Sequence, residues 1–591
     1  LVKTSGSRGQ EVAEPFHDRV RETVTARIEE RDVVPWHTRI AAALEAVGGT
    51  DPELLYTHWR GAGQAARAAE YAEKAADEAS RTLAFGRAAR LYQTALDCVQ
   101  WERLAERRLQ EKLAYALACA GRSAEAAEIL EAMAAAEADA VTRLDARRRA
   151  AELYLCSGHF ERGIELLRGC LAEAGERYPG SPLAVLVSLL LARFALVLRG
   201  TKLRPAPAAA ARPETLVRID TLASAGAGFA MSDSMRGAYF QTKNLLLALD
   251  AGDPERLVRT LSMEACFTSS GGSKSETRTR MLLEVLRGYA RRVATDEATA
   301  RVALAEGYYG FMNGRWAEAA QCMVRAEELF RDKVRGAAYF LGSARFMLYR
   351  CLVYLGQVEE LERRVPAALR EADEQRDVYT AINLRSMPLT FTHLARGRVD
   401  DARRELETAE RALFQGVFLL QHYFCVTARC QMHLYAGEVD AAADVLARTR
   451  TPMRRSLMLR VQTIRAVMLD VEGRVALAVA RRDPSQLALA TRMAQKLLAL
   501  GPLYARAYGH LLAGLVARQR GELDKALAHL GLADDGFVAV RMPLHAAAAR
   551  LRRGELLGGD EGAALGASAV QAARDVGAVP DPALFNAIAP P

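Results

Sequence analysis

Few residues in this chain have both the type and the spacing that chemistry requires. Gly271-Gly272-Ser273-Lys274-Ser275 has the composition of a phosphate-binding loop, in which backbone amides and a lysine cradle phosphates. Its spacing is wrong, because Ser273 separates glycine from lysine and the first glycine of GxxxxGK[ST] is missing, so a plain turn is predicted. Asp534-Asp535 has the composition of a magnesium-binding pair, yet it lies in a helical repeat with no apolar strand before it. Phe16-His17-Asp18-Arg19 holds the letters of a kinase HRD loop in the wrong order, without the downstream Asn, and neither a Gly-rich kinase loop nor DFG occurs. GxSxG, HExxH and an EF-hand loop are likewise missing. The nine cysteines (Cys98, Cys119, Cys156, Cys170, Cys266, Cys322, Cys351, Cys425 and Cys430) form no CxxC and have no histidines at zinc-site spacing. An odd number of thiols in apolar helical stretches predicts buried, reduced cysteines in a cytoplasmic protein. Trp36, Trp59, Trp101 and Trp316 stand singly and are predicted to pack in the core. The residues therefore predict no catalytic group, metal site or cofactor within this chain.

The elements that would position any site are more informative. Leu1 to Thr4 and Val12 to Phe16 read as two short strands around the turn Ser5-Gly6-Ser7-Arg8-Gly9. A helix is predicted from His17, with Val20, Val24 and Ile28 on one face. Strand, turn, strand and helix look like the wing and last helix of a winged-helix subdomain. From Asp51 onward the periodicity is helical throughout, and one pattern recurs: an apolar helix, a Gly-centred turn, then a helix rich in Ala and Glu. Examples are ALACAGRSAEAAEIL, HLARGRVDDARREL and VARQRGELDKALAHL. The turn glycines are Gly121, Gly158, Gly314, Gly356, Gly397, Gly437 and Gly521, with spacings of 37, 42, 41 and 40 and two longer gaps of 156 and 84. Those gaps are close to four and two units, and Arg481-Arg482-Asp483-Pro484-Ser485 is predicted as a degenerate turn inside the second. A glycine accepts the left-handed conformation that ends a helix, and small residues after it let the next helix pack closely. Such units cannot bury their apolar faces alone and stack into a superhelix with a concave groove. The predicted fold is all-α, a tetratricopeptide-like helical repeat solenoid preceded by a small winged-helix remnant.

The expected boundaries are 1–48 for the winged-helix end, 49–200 for a first repeat block, 201–213 for a Pro/Ala linker, 214–575 for a second block and 576–591 for a tail. A second loop is expected at Ser269–Ser275. The run PLAVLVSLLLARFALVL, Pro182 to Leu198, reaches the lower length limit of a membrane span. Arg193 interrupts it, and a charge near a bilayer centre costs at least ~2.5–3.5 kcal/mol. It is predicted to be a buried pair of solenoid helices, with no membrane contact. Net charge is +8, but 80 basic residues face 72 acidic ones without a basic run, so no nucleic-acid contact is expected.

Four stretches together resemble one family, the large bacterial serine/threonine protein kinases built as kinase, AAA/STAND-type ATPase and tetratricopeptide-like repeats. The first is PFHDRVRETV, WHTRIAAALE and DPELLYTHWRGAGQAARAAEYAEKAADEASRTLAFGRAARLYQTAL, within residues 15–96. The second is Arg236 to Ala265 followed by Gly271-Gly272, the third GFMNGRWAEAAQCMVRAEELFRD and the last DVGAVPDPALFNAIAP. The resemblance implies that this chain, beginning at Leu1 rather than Met, is the regulatory, sensor and protein-interaction arm of such a kinase. ATP and Mg would then belong to domains upstream. It also implies a nucleotide-sensing role for His17, at the place where a winged-helix histidine of STAND ATPases contacts the bound nucleotide's phosphates; a helix-capping or packing role is the alternative. Expected partners are a protein or small ligand in the concave groove, and the ATPase and kinase domains of the same polypeptide. The alternatives are the repeat arm of an ATPase-type transcription regulator, against which the missing C-terminal basic helix counts, or a stand-alone scaffold.

Overall fold

The computed structural model describes residues 2–5, 12–15, a few positions between 19 and 27, and then 29–200, 212–334, 337–375, 377–413 and 418–591. Strands β1 (Val2–Ser5) and β2 (Val12–Pro15) pair antiparallel, with Val2 opposite Pro15 and Ser5 opposite Val12. Everything described after Glu29 is helix and connecting turn. The helix predicted from His17 and the linker at 201–211 lie outside the described residues.

The chain packs as two compact units, residues 1–133 and 134–591. The sequence places the main break at 201–213, whereas residues 134–200 pack against the helices that begin at Pro213. Arg148 and Glu152 both bond Ser224, and the buried Glu176 holds Arg218 and Lys243.

Unit 1 is a run of helical hairpins built on alanine. Along Ala65–Arg81, Ala68, Ala69, Ala72, Ala75, Ala76 and Ala79 fall three or four positions apart and are buried. They meet Ala88, Ala89, Leu91, Tyr92 and Ala95 of Phe85–Cys98, since side chains this small let two helices approach closely. Trp59 and Tyr71 bring their polar ends to one carboxylate, that of Glu45, at 3.2 and 2.6 Å.

Unit 2 repeats the same hairpin with larger side chains. All seven glycines picked out by the repeat have positive φ, between 66° and 85°. Four repeat junctions use other residues in the same left-handed region: Leu83 in unit 1, and Ala294, Leu457 and Arg541 in unit 2. The degenerate turn predicted at Arg481–Ser485 is observed, as a short 3-10 segment Pro484–Gln486 between helices Gln462–Ala480 and Leu487–Leu498. Helix starts are marked by aspartate before proline at Asp253-Pro254 and Asp581-Pro582, where the carboxylate caps free amides and proline occupies a position that needs no N–H.

The array of unit 2 coils tightly enough for successive turns to touch. Ser273 donates its amide to the Gln462 side chain at 2.9 Å, across 189 positions. With units of 40 to 42 residues, that separation is about four and a half repeats. Contacts of comparable separation follow the coil. Phe160 meets Tyr379 edge-on (6.2 Å between centroids), Trp316 meets Tyr504 (5.3 Å), Gly356 packs on Pro543 and Leu544, and Val579 donates to the Ala395 carbonyl at 2.7 Å. One continuous hydrophobic core therefore runs from Ala300 to Ala589.

Candidate functional site

Of the residues singled out for chemistry, His17 lies outside the described residues. Gly271–Ser275 is not an open loop: helix Pro254–Ser269 passes directly into a 3-10 turn, Gly272–Ser275, that abuts Gln462 of the next coil. Its geometry is that of a packing joint. Asp534 makes a two-point ion pair with Arg550 (2.9 and 3.0 Å), and Asp535 is exposed beside it. Among the described residues no three His, Cys, Asp or Glu side chains converge as a metal site. Cys170, Cys351, Cys425 and Cys430 are buried, and burial pushes Cys351, Cys425 and Cys430 up to about 12. Such thiols remain protonated and unreactive. Trp59 and Trp316 are core residues, but Trp36 is half exposed, with Arg39 over its ring.

The interior of unit 2 concentrates aromatic rings around one cation. Trp316 stacks on Tyr354 at 4.2 Å, with Phe311 edge-on at 5.0 Å. The buried Arg350 guanidinium lies 4.3 Å from Phe311, 5.3 Å from Phe424 and 5.8 Å from Phe346. The negative faces of these rings attract it, a cation–π arrangement. Burial raises the hydroxyl pKa of the nearby Tyr354, Tyr423 and Tyr504, so these phenols stay neutral.

Two further arginines do something different. In helix Gln462–Ala480, Arg474 pairs with Asp470 one turn earlier, both almost fully buried, and donates to the carbonyl of Ala587 at 2.6 Å. In helix Pro543–Leu557, the buried Arg552 donates Nε to the carbonyl of Ala589 at 2.8 Å and also bonds the Asn586 side chain. Both acceptors belong to the segment 576–591, which from sequence reads as a short tail. That segment leaves helix Gly559–Asp575, crosses to Ala395 through Val579, and is tied by Asp581 to the Tyr435 hydroxyl at 3.0 Å. It then forms helix Pro582–Ile588, burying Leu584, Phe585, Ala587, Ile588 and Ala589.

A second feature is a surface. Helix Pro182–Arg199, a buried helix pair on the sequence reading, is one helix of which only 17% is buried. Leu183, Leu190, Leu191, Phe194, Val197 and Leu198 are 60–72% exposed and Val187 is 48% exposed. At 100° and 1.5 Å per residue they occupy an arc of about 120° and a length of about 22 Å. Both arginines of the helix turn away from this face: Arg193 pairs with the fully buried Glu264, and Arg199 bonds Asp250 and the Leu249 carbonyl. The face is thus apolar and free of charge. Val185, Ala192 and Leu196 on the opposite side are the ones that pack inward. The sequence signal for an apolar helix is right, but composition does not say which of its faces is covered. In unit 1, a recess of about 590 Å³ lined by Gln93, Asp97, Trp101, Glu106 and Gln110 lies between consecutive hairpins.

No family model and no curated protein matches the chain. Among solved structures it is similar to the anaphase-promoting-complex assembly Cut9–Hcn1 (13% identity, TM-score 0.38, covering 85% of each chain). It is also similar to yeast Tom70 (13% identity, TM-score 0.29, covering 82% of this chain and 96% of that one) and to Naa15/Naa10 bound to HypK (11% identity, TM-score 0.22, covering 92% and 100%). At such identities and scores these likenesses add nothing to what the chain's own helices establish, which is a tetratricopeptide-like helical repeat solenoid.

Proposed function

We infer that this chain is the regulatory and protein-interaction arm of a larger bacterial signalling protein. The parent is a serine/threonine protein kinase with a STAND-type ATP-binding module. The observation that carries the interaction role is the charge-free apolar face of helix Pro182–Arg199, which gathers seven exposed large apolar side chains on one side of a single helix. An exposed apolar patch of this extent marks a surface that another protein element covers. The hairpin β1–β2 ahead of the repeats fits the wing of an ATPase winged helix and supports the parent assignment.

In this reading the arm acts through a coupling free energy. A partner that binds one packing of the repeats better than another shifts the balance between restrained and released kinase. ATP and Mg belong to the parent's other domains, with His17 next to the nucleotide. The test is a nucleotide-binding and autophosphorylation assay on this chain beside the natural protein extended upstream. The extended protein is expected to bind ATP and phosphorylate itself, and this chain to do neither. ATP turnover by this chain, or silence of both, overturns the assignment.

A further inference from the structure

The segment Val579–Pro591 is held as a ligand is held. Its short helix, Pro582–Ile588, has at its C-terminal end carbonyls with no partner inside the helix. Two of the carbonyls at and just beyond that end, Ala587 and Ala589, are taken by the guanidinium groups of Arg474 and Arg552. These arginines come from different repeats and meet the segment through its backbone. Positive charge at a helix C-terminus is also favoured by the helix dipole. Among side-chain contacts, Asn586 bonds Arg552 and Asp581 bonds Tyr435, while Leu584, Phe585 and Ile588 are buried in a short helix that packs against helices Leu420–Ala436 and Pro543–Leu557. Backbone-directed anchors with a few apolar pockets suit a groove to a peptide of tolerant sequence. The buried Asp470 keeps one carboxylate oxygen on Arg474 and the other without a hydrogen-bond partner.

We propose that this clamp is a peptide-binding site closed by the chain's own segment 579–591. Its partner is a protein segment of the same chemistry: an apolar turn of the Leu-Phe-x-x-Ile kind, with free backbone carbonyls on the residue before the Ile and the residue after it. Binding such a partner displaces the built-in segment, so the site carries its own competitor. This deepens the reading of the chain as a binding arm and rests on it, but its tests involve neither ATP nor kinase activity, so the two readings fail separately.

The first test is hydrogen exchange on the full chain. Amides of 583–589 are expected to exchange at least tenfold faster than those of helix Gln462–Ala480, because the segment opens while the array stays folded. Exchange of both at one common rate overturns the proposal and leaves the segment a fixed part of the fold. The second test uses a labelled synthetic peptide of residues 579–591. It is expected to bind the full chain carrying Phe585→Ala and Ile588→Ala in its own segment at least tenfold more tightly than it binds the unmodified chain. Adding Arg474→Lys and Arg552→Lys is expected to abolish that gain. A folded Phe585→Ala, Ile588→Ala chain that ignores the peptide contradicts the proposal. Should that variant lose its helical fold, the exchange experiment decides alone.

Discussion

Arg474 donates to the carbonyl of Ala587 from 113 positions away while holding Asp470 in the same helix. One guanidinium thus serves a buried carboxylate and a docked segment together. Removing one member of a buried ion pair costs roughly 3–5 kcal/mol, because the other charge is left uncompensated, whereas replacing both with apolar residues can be neutral. Arg474→Ala is therefore expected to lower unfolding free energy by about 3–5 kcal/mol in urea titrations. The pair Arg474→Met, Asp470→Leu is expected to recover most of that loss. Equal destabilisation by the double replacement would mean that the Ala587 carbonyl, not Asp470, is what Arg474 serves.

The same carboxylate sets a pH dependence. Burial pushes Asp470 up to about 6 against the opposing pull of Arg474, while in the unfolded chain it titrates near 3.8. Between these values the folded protein binds the proton and the unfolded chain does not. Its contribution to stability is therefore fully present below about 3.8 and is lost as pH rises through about 6, at no more than ~1.4 kcal/mol per pH unit. Relative to Asp470→Asn, the unmodified protein should lose stability as pH rises from about 4 to about 6, and equilibrium unfolding of both at three pH values reads the difference. A constant difference would place Asp470 in a wetter setting.

Repeat junctions give a backbone prediction. Ala294 closes its helix at φ 53°, where a Cβ crowds the following carbonyl, and Gly437 does the same job at φ 73° with open space around it. The left-handed conformation costs an L-residue roughly 1–2 kcal/mol. Ala294→Gly is expected to stabilise by roughly 0.5–1 kcal/mol, allowing for the freedom glycine adds to the unfolded chain. Gly437→Ala is expected to destabilise by about 1 kcal/mol. Thermal unfolding of the two single variants checks both signs.

The exposed helix gives a paired comparison. Leu191→Glu and Phe194→Glu, on the outward face, should change stability by no more than about 0.5 kcal/mol. Leu196→Glu, on the inward face, should cost about 3 kcal/mol or more by burying an unpaired charge. If the outward replacements destabilise as strongly as the inward one in urea titrations, the apolar face is covered within the folded chain.

Much of the fold is legible in the sequence because repeat turns are a local signal. Glycine at the end of a helix reports a left-handed residue directly, and Gly121 through Gly521 all have that conformation. Ala294, Leu457 and Arg541 take it too, but their residue types give no notice of it. Asp581-Pro582 marks a helix start in the sequence as it does in the structure. The destination of that helix is not local information, since Arg474 and Arg552 look in sequence like surface charges and reach their acceptors only through the coil. Helix Pro182–Arg199 defeats the sequence reading for a related reason. Hydrophobicity records how much a helix needs covering, and the covering partner lies outside its own residues.

The coil itself, which brings these distant residues together, is tested by joining two points on its successive turns. A Cβ built at Gly158 lies 3.7 Å from Cβ of Val378, close to the separation of about 3.8 Å in disulfides. Gly158→Cys carries the roughly 1–2 kcal/mol cost of an L-residue at φ 85°, and with Val378→Cys it should form a cross-link in the native protein under mild oxidation, located by peptide mapping against Gly158→Cys alone. Efficient closure without loss of helical signal is the predicted result. Two thiols that remain reduced in the folded protein, or that pair only after unfolding, would contradict a coil whose turns touch.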